Sequence, residues 1–202
     1  NPDNFVFWGD DRRLKADVRL LADDGTGLML RAEEPDSLYN NDIAIEINRL
    51  NLGELANVMP YLPPIGGVLN ADFHLVEQDR VFSAVGTAEA RKFAYQGVEM
   101  GDLGAEISYQ PTQEGNHKAD AFITFNGSEV AEASGTYYAK GEGSFAGNVK
   151  LKSLPMSMMD AFLEGTQTKM KGALNGELSI VGTAEKPVIN GALSFDKAHL
   201  YS

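Results

Sequence analysis

The chain has no cysteine, a single tryptophan, three histidines and only 17 lysines and arginines among its 202 residues. The missing cysteine excludes disulfides, thiolate nucleophiles and cysteine-ligated metal centres. It leaves the compartment open, because a reducing cytosol and a cysteine-avoiding periplasm look alike on this count. The basic residues face 29 acidic ones, for a net charge of −12. Binding nucleic acid needs clustered Lys and Arg, and docking on an anionic membrane surface needs a polybasic patch, so neither partner fits. No run approaches ~18 consecutive apolar residues, so no transmembrane helix is expected. A signal peptide is not expected either: residue 1 is Asn, and Asn1 to Asp11 is polar and aromatic. The chain therefore reads as a fragment of a longer protein or a processed form.

What is abundant is alternation. Leu14, Ala16, Val18, Leu20 and Ala22 are apolar, and Lys15, Asp17 and Arg19 between them are charged. A strand with one buried and one wet face has this pattern. The same pattern returns at Leu28/Leu30/Ala32, Ile43/Ile45/Ile47, Leu69/Ala71/Phe73/Leu75, Val81/Ser83/Val85 and Leu103/Ala105/Ile107/Tyr109. It continues at Ala121/Ile123/Phe125, Phe145/Gly147/Val149/Leu151, Leu174/Gly176/Leu178/Ile180 and Ile189/Gly191/Leu193/Phe195. Gly, Asn, Asp and Pro punctuate these runs every ~8–15 residues, as in all-β proteins. The expected fold is mostly β.

Two stretches break the alternation and predict two short helices. Leu52, Leu55, Val58, Met59 and Leu62 keep a helical period before Pro63, as do Met156, Met159, Phe162 and Leu163 after Pro155. They also mark an internal repeat. Ile45–Leu50 (IEINRL) aligns with Val149–Leu154 (VKLKSL), and Gly67–Leu75 (GVLNADFHL) with Gly172–Ile180 (GALNGELSI), offset by 104–105 positions. The expectation is one continuous domain over 1–202, built from repeat-like units at about 43–95 and 147–202. Its seams fall at the turns Tyr39 to Asp42 and Gly141 to Gly143.

Catalytic chemistry finds no foothold. His74, His117 and His199 lie at no metal-ligand spacing, and there is no G-x-S-x-G elbow. His74 falls on the polar face of a strand and His117 in the turn that begins at Gln113. Gly141–Gly147 has one residue too many for a dinucleotide loop and leads into a strand, so no helix N-terminus meets a phosphate. Asp23-Asp24-Gly25 lacks the alternating acids of a calcium loop and reads as a turn; Asn126-Gly127-Ser128 fits a glycosylation acceptor, but Asn-Gly is also a common hairpin turn and that reading needs no eukaryotic host. Glu33/Glu34 and Asp10/Asp11 are paired acids with nothing apolar beside them. No enzyme activity and no cofactor are expected.

The organised chemistry lies on the apolar faces. Leu69, Phe73, Leu75, Ile123, Phe125, Val149, Leu151, Leu178, Ile180, Leu193 and Phe195 are expected on one side of a sheet. That side is either the core of a closed sandwich or the wall of a groove for an apolar ligand, and alternation alone fits both. A carbohydrate-binding sandwich would need an aromatic platform, and Trp8 is the only tryptophan.

The segments Leu50–Asp72 (LNLGELANVMPYLPPIGGVLNAD) and Tyr95–Leu103 (YQGVEMGDL) resemble the TamB family of AsmA-like proteins. Gly172–Phe195 (GALNGELSIVGTAEKPVINGALSF) is similar to a pattern that recurs in that family: G-x-L-x-G, an apolar stretch, G-T, then P-x-x-x-G-x-L. The first copy departs from it, with Glu77–Arg80 at the turn. The resemblance covers roughly residues 43–202. It implies an elongated, curved, antiparallel-rich sheet, a β-taco or half-pipe. It also implies a periplasmic protein anchored in the inner membrane by a helix that this chain does not contain. The implied function is phospholipid transport between the inner and outer membranes, with the apolar groove shielding acyl chains. The alternative is a chaperone-like module that assists outer-membrane β-barrel assembly or secretion by β-augmentation, with a BamA-like barrel protein as partner.

Overall fold

A computed structural model describes residues 4–10, 13–33, 40–59, 62–112, 114–140, 143–163 and 169–201. Twelve strands follow one another: β1 (Phe5–Trp8), β2 (Leu14–Leu21), β3 (Gly27–Glu33), β4 (Asn41–Asn51), β5 (Ile65–Gln78) and β6 (Val81–Tyr95). Then come β7 (Val98–Pro111), β8 (His117–Phe125), β9 (Ser128–Tyr138), β10 (Ser144–Pro155), β11 (Lys169–Gly182) and β12 (Pro187–Tyr201). All twelve belong to one sheet in sequence order, and the ladders between consecutive strands are antiparallel. The expectation of a mostly β chain holds.

Local chemistry makes this meander. Asn126 and Gly127 both take positive φ, 47° and 78°, the two-residue turn whose twist suits a hairpin between β8 and β9. At the β2–β3 turn the Asp24 carboxylate accepts the Thr26 backbone N–H at 2.9 Å. Asp79 and Arg80, also at positive φ, reverse the chain between β5 and β6. Of the expected seams, Tyr39, Gly141 and Glu142 lie outside the described residues. Asn41 and Asp42 already belong to β4, because they pair with Glu77 and Val76 of β5 and so keep their backbone in the ladder.

One α-helix is present among the described residues, α1 (Leu52–Val58). Asn51 caps it, its side chain accepting from the Gly53 and Glu54 N–H groups at 2.9 and 3.4 Å. The second expected helix forms as a 3-10 helix at Met156–Leu163. It packs on β11 and also reaches β7. The Asp160 carboxylate ties it there by accepting the Met170 N–H at 2.7 Å. Leu52 and Met156 are buried, one from each helical segment.

The two strand–helix–strand–strand segments share an unusual feature. In β4 an extra residue interrupts the ladder between Ile47 and Leu50, and in β10 another does so between Leu151 and Leu154. Arg49 and Ser153 there take φ of 51° and 53°. Each sends its backbone N–H to an asparagine of the next strand, Arg49 to Asn70 at 3.0 Å and Ser153 to Asn175 at 2.7 Å. The bulge resets the pleat, so Leu50 stays on the face of Ile47 despite a spacing of three. Opposite the following bulge, Gly67 and Gly172 both have φ of 116°, and an added Cβ would collide with the Lys92 or Lys197 carbonyl oxygen.

Among the described residues no second sheet seals the first, and only α1 and the Met156–Leu163 segment pack against it. Among the described residues the buried hydrophobics are Ala16, Ile43, Ala44, Leu52, Ala71, Val130 and Met156, and no large side chain is fully buried. A sandwich would bury one whole face of each sheet. The single sheet removes the closed-sandwich alternative.

Candidate functional site: the apolar face of the sheet

Following the register from strand to strand shows what shares a face. One row runs Val18, Leu30, Ile45, Phe73, Gly86, Ile107, Ala121, Ala133, Val149, Leu178, Gly191. Two residues along the strands lies Leu20, Leu28, Ile47, Ala71, Ala88, Ala105, Ile123, Ala131, Leu151, Gly176, Leu193. On the other side of the first row, Leu75 and Ile180 stand in line with Tyr109, Ala119, Gly135 and Gly147. Leu69 aligns with Leu50, Ala90, Leu103 and Phe125, and Phe195 aligns with Leu174 and Leu154. All eleven residues expected on one side do share one side. Leu193 and Phe195 are exposed on β12, and the other nine are partly buried.

The register spreads these eleven over a surface instead of gathering them in one pocket. A hollow of about 460 Å³ opens over β7 to β11, and of the eleven only Val149 and Ile180 line it. Its floor is made of Ala119, Ala121, Ala133, Gly135 and Gly147, and its walls include Ile107, Tyr109, Tyr137 and Phe145. Small residues on β8, β9 and β10, with Ile107 and Tyr109 on β7, Ile180 on β11 and Tyr137 and Phe145 near the strand ends around them, leave room the width of several strands. The sequence reading missed these wall residues as a group. Their signal was the same alternation, with Ala and Gly where the other runs carry Leu or Ile.

His117 is also in the hollow, where a turn was expected. It opens β8, pairs with Pro111 and Tyr137, and its ring stacks on Tyr109 with centroids 5.9 Å apart. The pairing extends the β7–β8 ladder to Pro111, so His117 lies inside the ladder. The Tyr109 hydroxyl lies 2.7 Å from Nδ1, which supplies one polar contact at the end of a greasy trough.

The opposite face is charged. Its row runs Glu46, Asp72, Thr87, Glu106, Phe122, Glu132, Lys150, Glu177. A larger hollow of about 710 Å³ lies here, but Asp120, Glu132, Lys150 and Glu177 line it. Lys152 reaches Glu132 at 2.8 Å and Lys150 reaches Glu177 at 3.6 Å. The Lys152 hydrogen bond holds the Glu132 carboxyl below the usual carboxylate range, and Glu129 and Glu132 together raise Lys152. These charges satisfy one another across neighbouring strands. His74 belongs to this face, with Nδ1 2.8 Å from Asp42 and Nε2 3.7 Å from Asp72. His199 lies on β12 beside Tyr201, ring centroids 6.2 Å apart. No group of three or more metal-ligating side chains gathers among the described residues.

Trp8 is exposed on β1, with Val6 on the apolar side, while Phe5 and Phe7 fall on the other face. They form no common aromatic platform. Among the described residues no helix is long and apolar enough to cross a membrane.

The fold and the face together define a single-layer antiparallel meander with one apolar and one charged surface. No protein-family model, no curated protein and no solved structure matches the chain.

Proposed function

We propose that the apolar face shields lipid acyl chains and that this chain is a non-enzymatic segment of a TamB-like periplasmic lipid conduit. The carrying observation is the apolar face itself, continuous from β2 to β12, with no second sheet over it among the described residues. Isolated globular domains rarely leave so large an apolar surface without an occupant. Phospholipid tails suit it because they need area and not a shaped pocket, at ~0.8 kcal/mol for each methylene removed from water. Curling into a half-pipe would deepen the hollow over β7 to β11 and keep the charged face toward solvent. The TamB resemblance supports this reading, together with the periplasmic location and the inner-membrane anchor it implies.

Native mass spectrometry of freshly purified protein, followed by organic extraction, tests the proposal. Reproducible phospholipid adducts are the expected result. A clean apo mass after incubation with phospholipid micelles would overturn it.

A second reading, β-augmentation with an outer-membrane barrel protein, draws on a different observation. β12 is fifteen residues long, exposed throughout, and has no strand on its outer side among the described residues.

A further inference from the structure

The apolar hollow over β7 to β11 lies on a face with two unlike ends. At one end the register row Pro111, His117, Tyr137, Phe145 crosses β7 to β10, with Tyr109 two residues in from Pro111 on the same face. The His117 ring stands between two tyrosines, its centroid 5.9 Å from that of Tyr109 and 6.0 Å from that of Tyr137. At the other end Leu103, Phe125 and Leu154 carry the apolar face to the close of β10. Past Pro155 the Met156–Leu163 segment packs on β11 and reaches β7, so it spans the strands between them, and Met156 is buried. One end is aromatic with polar tips, and the other is wholly apolar.

The polar tips leave donors to spare. The Tyr109 hydroxyl and His117 Nδ1 share one hydrogen bond of 2.7 Å. Whichever of the two donates, the pair keeps a free donor: Nε2–H when the hydroxyl donates, the Tyr109 O–H when Nδ1 donates. The Tyr137 hydroxyl has no protein partner among the described residues, and Tyr137 is 46% exposed. Rings with an apolar body and a polar tip suit a boundary between hydrocarbon and water. From His117 to Phe125 β8 runs ~27 Å. That exceeds the depth of one leaflet, half of the ~30 Å hydrocarbon core of a bilayer, so a full acyl chain fits between the two ends.

We infer that Tyr109, His117 and Tyr137 form a headgroup site, taking the phosphate of an acyl lipid whose chain lies along β8 to β10 with its methyl end toward Met156. An ionised phosphate offers acceptor oxygens, which match the free donors of the tyrosine–histidine cluster. The chain beyond it meets the Ala and Gly floor of the hollow and then the Leu103, Phe125 and Leu154 surface. The cluster therefore sets which way the lipid lies. This inference rests on the lipid-shielding reading and adds a headgroup chemistry and a direction to it.

The probes are dodecyl phosphate and dodecanol, which share a chain and differ in the headgroup, each competing with the neutral fluorophore phenylnaphthylamine for the whole protein. Dodecyl phosphate is expected to compete the more tightly. The double variant Tyr109→Phe/His117→Phe keeps the rings and removes the donors of the pair. It should weaken dodecyl phosphate by about tenfold and leave dodecanol unchanged. No change for dodecyl phosphate, or an equal loss for both probes, would overturn the headgroup site and leave the lipid reading standing. Inorganic phosphate is expected not to compete at the same concentration, and competition by it would mark a free-anion site and overturn the assignment to a lipid. Failure of both amphiphiles to displace the fluorophore would overturn both readings. A nitroxide at the methyl end of bound phosphatidylcholine should broaden the Met156 methyl NMR signal more than a nitroxide on the headgroup, and the reverse order would overturn the direction.

Discussion

The side-chain oxygen of Asn175 accepts the backbone N–H of Ser153 at 2.7 Å across the β10–β11 ladder. It thereby holds a non-glycine residue at a φ of 53° that the backbone otherwise disfavours. Asn70 does the same for Arg49, and Asp102 for Lys92, so either Asx residue serves as acceptor. Asn175→Ala should therefore destabilise the protein by ~1 kcal/mol, whereas Asn175→Asp should cost much less. Urea denaturation of the two variants beside the parent checks this, and equal midpoints for both would refute it.

Ile107 offers the cleanest test of the apolar hollow, because it is 41% exposed and lines the wall from β7. Ile107→Asp places a charge where acyl chains would lie without burying it in a sealed core. The expected outcome is loss of phospholipid adducts with an unchanged far-ultraviolet circular dichroism spectrum. Adducts that persist would move the lipid away from this hollow.

Gly86 is a close-approach position. A Cβ there would strike the Phe73 ring and the Asp72 carbonyl oxygen on the neighbouring strand. Gly86→Ala is expected to cost ~1–3 kcal/mol, because the backbone oxygen cannot move aside as a side-chain tip can. Thermal unfolding reads the loss directly.

The charged face should make stability depend on pH in a defined direction. Lys152 holds Glu132 below its ordinary value, so the native state favours the ionised carboxylate. That contribution is present above the unfolded carboxylate pKa and is lost as pH falls through the depressed native value. Lys152 is raised, so its share is present below the unfolded lysine pKa and is lost as pH rises through the native one. The melting-temperature difference between the parent and Lys152→Met should be largest near neutrality and shrink toward both extremes. Added salt should shrink it too, because the groups are exposed. A difference that does not vary with pH would show that the ion cluster plays no part.

Much of the fold was legible because a strand writes its two faces directly into alternate residues. Phe73, Val149 and Leu178 declared their side in that way, and Asn126-Gly127 declared a hairpin. His117 did not, since Asn116 and Gly115 before it read as a turn that the ladder from Pro111 overrides. The second helix was legible as a helical period, but its 3-10 geometry was not, because the spacing of its apolar residues does not separate 3-10 from α geometry.

The sequence by itself determined the strand content, the charged and apolar faces, the absence of thiol chemistry and the spacing of the repeat, all of which follow from local residue order. Tertiary structure decided whether the apolar faces close on one another. A sandwich core and an open face share the same period of two, and only the arrangement of strands into a single sheet separates them. It also decided which residues share the hollow. Cross-strand register joins positions far apart in the chain, and bulges at Arg49, Lys92 and Ser153 reset that register through acceptors on another strand.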